Sequence, residues 1–303
     1  MKRSGSLSER LCPACGGQAA HDQGQKNGFL LVSCSTCTTL YTAQNPKGID
    51  REHYDAYYTA ANLTVPTFID KRLDEIVATF EPYRKNNRLL DIGCGAGSFL
   101  KAAARQNWKA FGLEVSQSAI EHARSLGFEV FHGEIEEANY ADGYFDVVIA
   151  SELLEHLPDP RALLSSISRI LRPGGLFWAT TPHGRGISAR ILGVDWSTVC
   201  PPEHLQLFSV AGIKRLLSSA GFSQVNVATH GTNPFEIVHA MRHKTSGPEN
   251  GNQSSTNFNR VDSSYQLNEF LSEKPLRRIV KATLNGLLNA GRIGDSLKIR
   301  AER

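Results

Sequence analysis

From Arg88 onward the chain alternates short apolar runs with amphipathic stretches. The runs are Arg88–Asp91, Lys109–Glu114, Glu129–Phe131, Phe145–Ala150 and Gly175–Thr181. Between them, segments such as Gln117–Leu126 and Arg161–Leu171 carry apolar residues at helical spacing. Strands alternating with helices predict a parallel sheet covered on both faces. A further helix is predicted at Val210–Ala220, ended by Gly221. "FSQVNVATH" reads as a strand by its alternation, and "DSLKIRAER" as a last one. "RPGGLF", Arg172–Phe177, predicts the stop of a helix and the turn into a strand.

Three stretches depart from this rhythm. Residues 1–45 form a small unit of their own, and residues 46–87 read as an aromatic-rich helical lid or linker. The polar stretch at about 245–265, "TSGPENGNQSSTNFNRVDSS", lacks the apolar residues a packed element needs and reads as a disordered insertion in the main domain, residues 88–303. "PLRRIVKATLNGLLNAG" follows it. Its stripe of Leu276, Ile279, Val280, Leu284, Leu287 and Leu288 predicts an amphipathic helix that packs on the main domain.

Composition narrows the class. The 303 residues are 41 % hydrophobic and 21 % charged, with a net charge of +3. That is ordinary for a globular protein and makes no demand for a nucleic-acid partner. No apolar run is long enough to span a bilayer, and the basic N-terminus lacks the apolar stretch of a signal peptide, so the chain reads as cytoplasmic. Four of the six cysteines agree. Cys12-x-x-Cys15 and Cys34-x-x-Cys37 have the spacing of a closed, structural four-thiolate zinc site, a zinc ribbon. Without metal such a unit has too little core to fold, so stripping zinc is expected to unfold it and spare the main domain. Lys26 is the only lysine or arginine between the first and last of these cysteines, which speaks against RNA docking.

The chemistry starts at "LLDIGCGAGSFL", residues 89–100. An apolar run ends in Asp91, and Gly93, Gly95 and Gly97 follow around the small spacer Cys94. A strand, a glycine turn and a helix open a nucleotide-binding sheet, whose ligands sit beyond the carboxyl ends of the strands. The dinucleotide fingerprint needs a third glycine where Ser98 stands. A carboxylate ahead of the turn suits an ammonium or sulfonium better than phosphates. Glu114 ends the next strand, about 20 residues on, placed to hold ribose hydroxyls.

"LLDIGCGAGSFL", "GLEVS", "HGEIEEA", "FDVVIASELLEHLPDP" and "ILRPGGLF" are similar, in order and spacing, to the motifs of class I S-adenosylmethionine-dependent methyltransferases. The resemblance covers roughly residues 88–230. It implies a Rossmann-like seven-stranded sheet with an antiparallel last strand, "DSLKIRAER". It also implies S-adenosylmethionine as cofactor. The turn Asp91–Gly97 would face the methionine portion and ribose, and Glu114, with Val115 beside it, would hold the ribose. Glu134 and the amide of Ile135 would read adenine, and Ser151 and Glu152 would line the site past the fourth strand. "EHYDAYY", with Tyr54, Tyr57 and Tyr58, resembles the aromatic cluster that precedes the domain in related sequences; its expected role is to cover the cofactor, and the alternative is helix packing.

Transfer to a hydroxyl or carbon also needs a base. His204, with Glu203 beside it in "PPEHLQLFS", is the first candidate, and His183 in "TPHGRG" the second; His156 is expected only to cap or pack. The stretch from "PHGRG" to "PPEHLQLFS" resembles a bacterial branch acting on small molecules, often sugars or glycan precursors. The expected activity is methyl transfer to such a small-molecule acceptor. The alternatives are an RNA methyltransferase and a non-catalytic cofactor-binding protein.

Overall fold

A computed structural model describes residues 9–44, 66–245 and 275–303, with Asp55, Tyr58 and Leu63. Tyr54, Tyr57 and nearly all of the polar insertion lie outside the described residues. The apolar runs form the central strands: β4 (Arg88–Ile92), β5 (Lys109–Glu114), β6 (Glu129–His132), β7 (Phe145–Ser151) and β8 (Leu171–Pro182). With β10 (Ser223–His230) and β11 (Ser296–Glu302) they make a seven-stranded sheet in the order β10-β11-β8-β7-β4-β5-β6. β11 runs antiparallel between β8 and β10, while β8, β7, β4, β5 and β6 run parallel to one another. Parallel strands are buried on both faces, which is why β7 is buried over Phe145–Ala150.

Helices cover both faces: α1 (Thr67–Ala78), α2 (Ser98–Arg105), α3 (Gln117–Ser125), α4 (Pro160–Ile170), α5 (Ile187–Leu192), α6 (Val210–Ser219), α7 (Pro234–Thr245) and α8 (Pro275–Ala290). Their starts are written locally. The Ser116 hydroxyl caps α3 at Ala119 N–H, Asp159 caps α4 at Arg161 and Ala162, and Ser209 caps α6 at Gly212. β8 begins at Leu171 and not at Gly175. Leu171 pairs with Phe145, and the Arg172 guanidinium donates to the buried Asp146 carboxylate at 2.7 Å, so the Pro-Gly pair falls inside an irregular strand.

The N-terminal unit is an antiparallel sheet of β1 (Ala20–Lys26), β2 (Phe29–Cys34) and β3 (Leu40–Thr42), and its fourth strand is β9 (Gln206–Leu207) from the main domain. Cys12, Cys34 and Cys37 share one core with Phe208, Val210 and Ile213. The expected boundary at residue 45 therefore does not separate two independent cores. The C-terminal stripe meets the main domain over part of its length. Helix α8 seats Leu288 against β10, but Ile279, Val280, Leu284 and Leu287 are exposed by 45–66 %. Asn285 and Asn289 accept from Gly231 and Thr229 N–H, and Thr229 Oγ1 donates to the Leu288 carbonyl. Among the described residues no helix is long and apolar enough to cross a membrane.

Candidate active site

The glycine turn sits at the carboxyl end of β4. Gly93, Gly95 and Gly97 have φ of +69°, +49° and +80°, a region where a side chain is strained. The need at Gly95 is also steric: a Cβ there would stand 2.5 Å from the Tyr58 hydroxyl oxygen. One tyrosine of the expected cover thus leans on the turn. Asp55 fixes the same segment, accepting from Ser116 Oγ at 2.8 Å and Gln117 N–H at 2.7 Å.

Two carboxyls stand behind the turn. Glu114 is 5 % exposed; its Oε2 accepts from Gly95 N–H at 2.8 Å, and its Oε1 from Val115 and Ser116 N–H at 2.8 and 3.0 Å. It therefore locks the turn to β5. Asp91 is fully desolvated, and burial, then the neighbouring Glu114 charge, push its pKa well above the usual carboxylate range. A buried acid raised in this way is relieved by a cationic ligand. That chemistry, with the cradle at Gly95, fits S-adenosylmethionine. Cys94 is buried and its pKa is raised by burial, so it is a spacer and not a nucleophile.

The remaining expected cofactor residues stand at or after the carboxyl ends of β6 and β7. Ile135 is buried, Glu134 is exposed, and Glu134 N–H donates to Glu137 Oε2. Ser151 Oγ meets Thr180 Oγ1 at 2.9 Å. Glu152 has φ of +50° and its N–H donates to the Thr180 carbonyl, a strained turn of the kind that collects at functional sites.

Glu152 leads into a second constellation. Glu155 is wholly buried; Thr181 Oγ1 donates to its Oε2, while Oε1 has no partner among the described residues. Burial, then the Glu152 charge, raises its pKa well above normal. His204 donates from Nδ1 to the Thr198 carbonyl at 2.7 Å, and His156 to the Glu203 carbonyl at 3.0 Å. Each bond fixes the tautomer that leaves the lone pair on Nε2. The two rings meet edge to face at 4.7 Å, and ligand atoms of Glu155, His156 and His204 lie within 4.8 Å of one another. The exposed Glu203 side chain stands outside this trio, to which the residue contributes its carbonyl. A divalent cation also suits such a donor set.

His183 lies elsewhere. It is 1 % exposed, its Nδ1 donates to the Gly294 carbonyl at 2.8 Å, and burial pulls its pKa down to about 4. It ties β8 to the turn before β11.

A cleft of about 410 Å³ opens past β7 and β8, with Glu152, Pro182, Trp196, Pro234, Leu284 and Leu288 among its walls. His230 and Glu236 line it too, and His230 Nε2 and Glu236 Oε2 are buried without hydrogen-bond partners among the described residues. Residue spacing alone did not reveal these two, because they converge from β10 and α7. Glu155 carried a visible signal: it sits one turn of chain from Glu152.

In the N-terminal unit the four expected zinc ligands come together. Sγ of Cys12 and Cys37, and of Cys15 and Cys34, lie 3.5 Å apart, and all four fall within 4.8 Å. Tetrahedral zinc with bonds of about 2.3 Å sets its sulfurs about 3.8 Å apart, so the set fits the ion. A Cβ at Gly17 would press on Cys34 and Cys15 Sγ at 3.3 and 3.4 Å, which explains the glycine after the first knuckle.

Comparison with known proteins agrees with this geometry. A family model described as "Methyltransferase domain" matches residues 65–227. A ubiquinone biosynthesis O-methyltransferase of Methylococcus capsulatus is 34 % identical over 114 residues, 35 % of this chain and 48 % of that protein; the match thus spans about half of that relative. One from Ralstonia nicotianae is 27 % identical over 188 residues, 58 % and 78 % of the two chains. Among solved structures, a SAM-dependent methyltransferase from Archaeoglobus fulgidus superposes with a TM-score of 0.51 at 20 % identity, covering 78 % of this chain and 94 % of that one. Haemonchus contortus phosphoethanolamine N-methyltransferase 2, in complex with S-adenosyl-L-methionine, gives 0.53 at 20 % identity, covering 87 % and 62 %. These two show the fold. The relatives' names speak against the sugar or glycan precursor that the sequence resemblance suggested. With its seven-stranded sheet, glycine turn and family match, the chain belongs to the methyltransferase-domain family and is an S-adenosylmethionine-dependent enzyme.

Proposed function

We propose that the protein methylates a hydroxyl of a small molecule with a flat or apolar body. The observation that carries this reading is the cleft: an apolar patch of Trp196, Pro182, Pro234 and Leu288 set among polar and charged residues such as Arg72, Glu236, Lys281 and Asp295, with Glu152 facing the expected cofactor edge. Apolar surface with polar groups around it can seat a small molecule and orient its hydroxyl. The relatives named as O-methyltransferases support oxygen as the acceptor atom.

S-adenosylmethionine supplies a sulfonium methyl that leaves by in-line displacement. The chain's own residues do the rest. The Asp91–Gly97 turn and Glu114 hold and orient the cofactor, with Glu134, Ile135 and Ser151 on its adenosyl side. Tyr58 covers the turn and excludes water. His204, its Nδ1 proton committed to Thr198, takes the acceptor proton on Nε2 as the oxygen–methyl bond forms and the sulfur–methyl bond breaks. His230 itself lines the cleft, but burial, then Lys298, Arg72 and Lys281, lower its pKa to about 3, too weak a base for neutral pH.

The test uses simple catechols as acceptors with wild type and His204→Asn. The reading expects an O-methyl product whose turnover falls about 100-fold in the variant, in the range of a lost general base, with cofactor affinity kept. Unchanged turnover in the variant removes His204 from the reaction. No product from any hydroxyl acceptor contradicts the acceptor class.

A further inference from the structure

The ribbon's place in the fold gives it a task. We propose that the four-cysteine unit is the positioning frame of the acceptor-side loops, and that Arg10 is the positioning residue that transmits its hold. This rests on the reading that Glu155, His156 and His204 face the acceptor.

β9 begins two residues after His204 and serves as the ribbon's fourth strand, pairing Leu207 with Leu40 and Gln206 with Tyr41. Thr42 N–H donates to the Leu205 carbonyl at 3.0 Å. The end of the His204 loop is thus woven into the ribbon. Arg10 stands just ahead of the first zinc ligand and is 7 % exposed. Its Nη2 donates to Gln206 Oε1 at 2.7 Å and to the Pro158 carbonyl at 2.8 Å, and its Nη1 to Thr42 Oγ1 at 3.3 Å. Gln206, 1 % exposed, passes the hold on: its Nε2 donates to the carbonyls of Leu154 and Leu157 at 2.7 and 2.8 Å. Leu205 N–H donates to the Glu155 carbonyl at 2.8 Å.

One guanidinium and one amide therefore clamp three separate segments: ribbon strand β3, the loop after β7 that carries Glu155 and His156, and the loop that carries His204. Loops at the carboxyl edge of a sheet are ordinarily its most mobile parts. Here they are pinned from outside. The zinc end is anchored as well, since Ser209 Oγ donates to the Cys37 carbonyl and Ser209 N–H to Thr39 Oγ1, so the start of α6 rests on the second cysteine knuckle. The cofactor turn is held by other means, through the Leu113 carbonyl and Glu114. The frame should thus act on the acceptor side and leave cofactor binding alone. Arg10's planar fork is what serves several acceptors at once, and a lysine cannot replace it.

The test takes full-length protein as Arg10→Ala and Arg10→Lys, plus wild type treated with a zinc chelator. It measures amide hydrogen exchange, S-adenosylhomocysteine affinity, zinc content and catechol methylation. The proposal expects exchange at least 10-fold faster across residues 153–158 and 200–206. It expects unchanged exchange across 89–98, zinc retained in both variants, cofactor affinity within 2-fold, and turnover reduced more than 10-fold. Arg10→Lys shows the same pattern more weakly and serves if the alanine variant fails to fold. Uniformly faster exchange with weakened cofactor binding would make Arg10 a general fold support and overturn the proposal; so would unchanged exchange in 153–158 and 200–206. Should wild type methylate no catechol, the acceptor reading fails, while the exchange pattern still decides the frame.

Discussion

Replacing Glu114 by glutamine changes one atom where three backbone donors converge. In the wild type, Oε1 takes Val115 and Ser116 N–H and Oε2 takes Gly95 N–H. The amide oxygen can keep the first pair, but its NH2 group then faces the Gly95 N–H, donor against donor. A buried donor left unpaired costs about 1–3 kcal/mol. In the proposed cofactor site Gly95 lines the cradle, so the cost falls on the bound state once water is expelled. About 2 kcal/mol corresponds to roughly 30-fold weaker binding. Glu114→Ala removes all three bonds and any ribose contact, and should weaken binding beyond 100-fold. Calorimetric titration with S-adenosylhomocysteine reads both variants. Affinity within 3-fold of wild type in Glu114→Gln would refute the lock, and the same in Glu114→Ala would remove Glu114 from the cofactor site.

His183 should make the fold acid-sensitive. Its folded pKa, about 4, lies below the ordinary histidine value, so the unfolded chain takes up a proton first as pH falls. Its contribution is full above about pH 6.5 and is lost on descending toward pH 4, about 2 kcal/mol of it between pH 7 and 5. Chemical denaturation across that range checks this, and a His183→Asn slope identical to wild type would contradict it. Chelating zinc should cost several kcal/mol and lower one cooperative heat transition of the whole chain, because the cysteine core continues into α6; a separate ribbon transition over an unmoved main one would show two independent units. Gly95→Ala should weaken cofactor binding about 10-fold, since its Cβ meets Tyr58 and its φ is left-handed; unaltered affinity would mean that the turn does not approach the ligand.

The sheet was legible because the inner parallel strands are buried on both faces and announce themselves as apolar runs. The antiparallel β11 was legible from its alternation. The cysteine pairs and the glycine turn were legible because their chemistry demands fixed spacings. What stayed hidden depends on convergence. β9 is two residues long and has meaning only beside β3. Arg10 looks like one more basic residue near the N-terminus until its acceptors on Pro158 and Gln206 are seen. His183 was placed correctly past the fifth strand, but only burial against Gly294 shows its bonding. The α8 stripe gave the right period, and period alone does not say that Leu288 would be covered while Ile279, Val280, Leu284 and Leu287 stay exposed. His230 and Glu236 sit on consecutive elements, β10 and α7, and only the fold shows that both turn into the cleft.

Transfer of isotope-labelled methyl from S-adenosylmethionine into a cell extract, split into metabolites, RNA and protein, tests the central claim most directly. The account predicts label on a hydroxyl of a small molecule, lost with Glu114→Ala. Label in RNA alone, or no transfer to any fraction by protein that binds the cofactor, would contradict it.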